Sequence, residues 1–125
     1  YQWHTFYGTS SHSMIPSSYT LAVDDLTGDV IAVGLSDAAW DGPGGENPLH
    51  AYAGESDVFA LELSSSGAYR WHTFYGCADW DYPTGVLVDG GDVYATGISL
   101  DYWTGPNGES PLYGSMGVFI LKLAQ

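Results

Sequence analysis

The residues best able to do chemistry are carboxylates, histidines and tryptophans, and most of them fall between apolar segments. Asp79 and Asp81 alternate in a short turn, where oxygen ligands could converge on calcium. Long Gly-Pro loops add Asp41 and Glu46 in one half of the chain and Glu109 in the other. Two carboxylates in one turn are too few for calcium alone, and no EF-hand loop is present. Calcium is thus the sharper reading, and solvated loop charge the preferred one. Trp40 and Trp103 each stand beside a Gly-Pro turn. Exposed indoles near carboxylates suit stacking on sugar rings, which makes a lectin-like, glycan-binding site the alternative function. The plainer expectation is that each indole packs on its own fold or on the next chain. His4 and His72 occupy matching places in Trp-His-Thr motifs, and a catalytic group is seldom needed once per repeat, so both read as structural. His12 and His50 lack a companion at metal-ligand spacing. No Gly-x-Ser-x-Gly elbow or phosphate-binding Gly loop is present, and no carboxylate pair is singled out for glycoside hydrolysis. The expectation is a protein that is not an enzyme.

A repeat must position these residues. Tyr1-Gln-Trp-His-Thr-Phe-Tyr-Gly8 returns as Tyr69-Arg-Trp-His-Thr-Phe-Tyr-Gly76. Thr20-Leu-Ala-Val-Asp-Asp25, Asp29-Val-Ile-Ala-Val-Gly34 and Asp57-Val-Phe-Ala-Leu-Glu-Leu63 follow the first copy. Gly85-Val-Leu-Val-Asp89, Asp92-Val-Tyr-Ala-Thr-Gly97 and Gly117-Val-Phe-Ile-Leu-Lys-Leu123 follow the second. The offset between copies shrinks along the chain while the apolar segments keep their length. Fixed strands joined by variable surface loops differ in this way.

Composition agrees. Of 125 residues 45% are hydrophobic, enough for a core, and 17 glycines with 10 tyrosines and 5 tryptophans favour turns and strands over helices. Alternation puts Phe59, Leu61 and Leu63 on one face of a strand and Glu62 on the other. Asp24-Asp-Leu-Thr-Gly28 and Asp89-Gly-Gly91 read as hairpin turns. The net charge is −13, with Arg70 and Lys122 the only fixed cations. Nucleic-acid binding is set aside, because phosphate neutralisation needs basic groups. No apolar run approaches the roughly 18 residues of a helical membrane span. Such acidity suits a salty or extracellular medium. The single Cys77 can form no intrachain disulfide and reads as a buried filler. No leader segment is recognised, so the chain reads as a mature product or an excised part of a longer one. The Ser-rich stretch 9–18 could carry O-linked sugar.

Four-stranded units repeating in this way suggest propeller blades. The chain resembles the bacterial beta-propeller repeat (SBBP) family of secreted and cell-surface proteins. The residues that carry the resemblance are Val23-Asp24 and Val88-Asp89, Val93-Tyr-Ala-Thr-Gly97, Asp57-Val-Phe59 and Gly67-Ala-Tyr-Arg-Trp-His-Thr-Phe-Tyr-Gly76. Gly117 replaces the expected Asp, and Glu62 stands where a Lys is usual. The resemblance implies an innermost Val-Asp strand and an outermost Trp-His-Thr strand. The expected fold is then all-β, with two four-stranded antiparallel propeller-type blades in a single domain, 1–125. Residues 1–8 supply an orphan outer strand, 19–76 a first blade, and 85–123 three strands of a second.

Two blades leave apolar faces and an open edge. The expectation is that the strand Trp3, His4, Thr5, Phe6 and Tyr7 of one chain completes the last blade of a neighbour. The acceptor would be Val118, Phe119, Ile120, Leu121 and Leu123. The partner is the chain itself, in a ring or a filament, at the cell surface or outside the cell. The alternative is the same pairing within a longer array.

Overall fold

The computed structural model describes residues 1–9, 17–105, 108–109 and 116–123. These form seven strands and no helix: β1 (Ser17–Val23), β2 (Val30–Ser36), β3 (Asp57–Leu63), β4 (Tyr69–Tyr75), β5 (Asp81–Asp89), β6 (Asp92–Ser99) and β7 (Gly117–Leu123). Two antiparallel sheets result, one of four strands in the order β1-β2-β3-β4 and one of three in the order β5-β6-β7. Neither closes on itself. Among the described residues no helix is long and apolar enough to cross a membrane.

The hairpins follow from their turn residues. Asp24 Oδ1 accepts the Leu26 N–H at 2.8 Å and Gly28 takes a φ of 75°, which reverses the chain between β1 and β2. Gly90 and Gly91, with φ of 61° and 89°, make the two-residue reversal between β5 and β6. Both sheets share one irregularity. The pairing register shifts between Ser18 and Thr20 in one, and between Pro83 and Gly85 in the other. Opposite each shift sits a glycine that the bent strand crowds. A Cβ on Gly34 would lie 2.1 Å from the Ser17 carbonyl oxygen, and one on Gly97 equally 2.1 Å from that of Tyr82. Only a residue without a side chain fits there.

Alternation along the strands gives the first sheet two apolar faces, and both are used. One carries Ile31, Val33, Val58 and Ala60 into the joint with the second sheet, against Val93, Ala95, Val86, Val88, Phe119 and Leu123. Strand β5 lies over β1, β2 and β3 in this joint. The other face buries Phe59, Leu61, Leu63 and Phe74 beneath Trp40, with Tyr7, Tyr52 and Tyr69 at the margin. Residues 1–9 have no regular secondary structure, and of them Tyr7 packs at the margin of this second face.

Candidate functional site

The N-terminal segment touches the first sheet at two places. Trp3 donates its indole N–H to the Ser65 carbonyl at 3.1 Å, and its ring lies where a Gly67 Cβ would be, in the β3–β4 turn. Tyr7 packs on Trp40 and on Tyr69, with ring centroids 6.1 Å apart in each pair. Tyr1 and Phe6 are almost fully exposed, at 99% and 89%, and His4 is exposed as well. The expected acceptor strand, β7, pairs with β6 and, among the described residues, with no other strand. Phe119 and Leu123 point into the joint, and Leu121 is buried. Val118 and Ile120 lie on the opposite face, 77% and 79% exposed.

Trp40 packs on its own fold, as the plainer of the two expectations had it. It is 7% exposed, because His72 stacks on it at 4.1 Å while Phe59, Phe74 and Tyr7 enclose its edges. No sugar ring can reach its face. Trp103 is half-buried and meets Tyr75 and Phe119. His72 is wholly buried; its Nε2 bonds to the Trp40 carbonyl at 2.8 Å and its Nδ1 to the Tyr69 hydroxyl at 2.7 Å. Burial holds its pKa below the ordinary histidine value. His50 bonds to the Phe74 carbonyl at 2.8 Å, and the Leu49 N–H donates to the His72 carbonyl at 2.9 Å. Those two residues cover the outer edge of β4, which protects it from stray pairing. His12 lies outside the described residues, as does most of the Ser-rich stretch.

The expected calcium ligands do not converge. Asp79 is exposed and its Oδ1 accepts the Trp80 N–H at 2.9 Å, whereas Asp81 is fully buried. Glu46 Oε2 accepts the Gly44 N–H at 2.8 Å, which ties it to its own loop. Glu109 sits in the matching turn, where its carbonyl accepts the Gly105 N–H at 2.9 Å, and Asp41 is exposed. Among the described residues no group of three or more metal-ligating side chains forms.

A different carboxylate pair does meet. Asp57 and Asp81, both fully buried, flank Gly76, whose Cβ would lie 2.5 Å from an oxygen of each. Asp57 Oδ2 accepts the Ala53 N–H and Asp81 Oδ2 the Cys77 N–H, both at 2.7 Å. Oδ1 of each has no hydrogen-bond partner among the described residues. Burial, with the Asp81 charge adding to it, pushes the Asp57 pKa up to about 6. The sequence hint was an Asp opening an otherwise apolar strand. Nothing in the sequence brings Asp81 beside it. An open cleft lies nearby, lined by Asp37, Tyr52, Glu55 and Trp80 among others, and no sequence motif marks it.

Cys77 is the buried filler expected, 4% exposed, and burial raises its thiol pKa. Thiolate is the reactive form. A thiol reagent such as dithionitrobenzoate should therefore label Cys77 at least about a hundredfold more slowly in the folded chain than in urea. Equal rates would show that the site opens readily.

No model of a known protein family matches the chain, and no curated protein matches it either. The resemblance to a propeller repeat therefore rests on the motifs themselves.

Proposed function

We propose that this chain is a non-catalytic, extracellular structural protein that self-assembles head to tail through propeller-type blades. Each chain donates its N-terminal segment as the fourth strand of the second sheet of the next. One observation carries the reading: each exposed apolar patch is the repeat counterpart of one half of the buried joint.

Within the chain, Ile31, Val33, Val58 and Ala60 cover the second sheet. Their counterparts on the second sheet are Tyr94, Thr96, Val118 and Ile120. Together with Leu87 (54% exposed) and Ile98 (43%) they form an open face, and Leu87, Tyr94, Thr96 and Ile120 line a shallow groove on it. The other half of the joint includes Val86 and Val88, and their counterparts Leu21 and Val23 are 64% and 49% exposed on β1. An apolar patch of this kind usually marks an interaction surface. Two different patches that fit each other make a heterologous contact, which closes into a ring or grows into a filament. The edge of β7 that is unpaired among the described residues lies beside one of them and asks for a strand. The extracellular setting rests on the charge of −13 and on the family resemblance.

Particle mass by light scattering, with electron micrographs, tests the reading on the intact chain and on a chain lacking residues 1–8. The intact chain should form a discrete trimer or tetramer, or long fibres, and the truncated chain should stay monomeric. A monomeric intact chain at tens of micromolar would sink self-assembly. An unchanged assembly after truncation would sink strand donation.

A further inference from the structure

We propose that Trp103 of one chain is the docking site for His4 and Phe6 of a second copy, rebuilding there the aromatic cage that encloses Trp40 within a single chain. The inference rests on the head-to-tail reading and names the side chains that would make its joint.

The two tryptophans occupy matching places in the repeat but have unequal company among the described residues. Trp40 meets Tyr7 at 6.1 Å and 42°, Phe59 at 5.9 Å and 75°, His72 at 4.1 Å and 13°, and Phe74 at 5.4 Å and 82°. Trp103 meets Tyr75 at 5.8 Å and 41°, and Phe119 at 5.9 Å and 63°. Tyr75 is the repeat counterpart of Tyr7, and Phe119 that of Phe59. Half of the cage is thus reproduced in distance and in angle. The other half, His72 and Phe74, comes from β4, and the second sheet has no strand in that position among the described residues.

The motif that would fill it occurs elsewhere in the chain. His4 and Phe6 match His72 and Phe74, and both are exposed. The donor is also shaped for the task. Tyr1 bonds through its hydroxyl to His4 Nδ1, as the Tyr69 hydroxyl does to His72 Nδ1. His4 Nε2 is thereby left to reach the Trp103 carbonyl of the partner, as His72 Nε2 reaches that of Trp40. The segment also stands where an outer strand of a preceding sheet would stand. Tyr7 leans on Trp40 as Tyr75 leans on Trp103. Trp3 leans on the β3–β4 turn of the first sheet, and its counterpart Trp71 packs against the joint with the second sheet. Those contacts leave Phe6 and His4 exposed, open to a second copy.

Stacked aromatics in a closed pocket dominate binding energetics, so losing either half should weaken association about a hundredfold or more. The test uses full-length chains in sedimentation velocity: wild type, a donor variant (His4→Ala with Phe6→Ala), and an acceptor variant (Trp103→Ala). Trp103→Leu serves as a second acceptor variant that keeps bulk against Phe119, with circular dichroism to verify the fold. Each variant alone should be monomeric where wild type assembles. A mixture should give a dimer and nothing larger, because one intact donor meets one intact acceptor. If wild type assembles and the variants assemble equally well, this contact is wrong while self-assembly stands. Variants that stay monomeric even when mixed would also overturn it. If wild type itself is monomeric, the head-to-tail reading fails and takes this inference with it.

Discussion

Trp40→Ala should lower folding stability by about 3–5 kcal/mol, the usual cost of truncating a large buried aromatic. The substitution empties the centre of the cluster on the outer face of the first sheet, where Phe59, His72 and Phe74 all rest on this one indole. Tyr7 would lose one of its two ring supports, so the N-terminal segment should hold less firmly. Trp40→Phe should behave differently. The indole N–H of Trp40 is buried without an acceptor among the described residues, which already costs stability. Phenylalanine removes that orphan donor while keeping a ring against His72, so its net cost should stay below about 1.5 kcal/mol. Urea denaturation of the three chains, read from their midpoints at constant slope, decides the matter. Equal costs for Ala and Phe would mean that the indole nitrogen has a partner after all. A negligible cost for Ala would mean that the cluster does not hold the sheet.

Asp57→Asn should raise stability at pH 7, by roughly 3 kcal/mol on the scale of about 1.4 kcal/mol per pKa unit. In the folded chain Asp57 keeps its proton up to about pH 6, against an ordinary value of 3.8. Between those values the folded state binds more protons than the unfolded one. The contribution of the group is therefore fully present below pH 3.8 and is lost as pH rises through about 6. At neutral pH the wild type holds a desolvated carboxylate beside Asp81, and asparagine removes that charge. Its amide oxygen can still accept the Ala53 N–H, and its amide hydrogens can point to Asp81. The difference between variant and wild type should be large at pH 7 and close to zero at pH 4. A constant difference across that range would show that Asp57 does not titrate as described.

The β architecture could be read from the sequence because its causes are local. Alternation in Val58-Phe-Ala-Leu-Glu-Leu63 places Phe59, Leu61 and Leu63 on one face, and those residues are buried there. Gly28, Gly90 and Gly91 take the positive φ that their turns require. Strand pairing within each sheet follows the chain, neighbour to neighbour, so no long-range choice had to be guessed. The glycine in Val-Gly34 and Thr-Gly97 was visible as part of a motif, but its reason was not. That reason is a carbonyl from a neighbouring strand, brought close by a register shift.

The candidate site was less legible. An indole beside a Gly-Pro turn can stack on a ligand or pack on its own fold, and only the structure shows Trp40 covered by β3, β4 and Tyr7. Asp79 and Asp81, paired by their spacing, point into water and into the core respectively, so solvated charge describes the first and not the second. Asp57 and Asp81 lie far apart in sequence and meet only because β3 and β5 start at the same end of the joint, across Gly76.

By itself the sequence determined the repeat, the all-β character, the turn positions and the acidity, since each depends on residue type and near neighbours. The tertiary structure alone decided which apolar face is buried and which is open, which carboxylates share a site, and that Trp103 has, among the described residues, half of the company Trp40 has. Those outcomes depend on how one sheet lies over another, which is set by the sum of contacts across the joint and by no single stretch of chain.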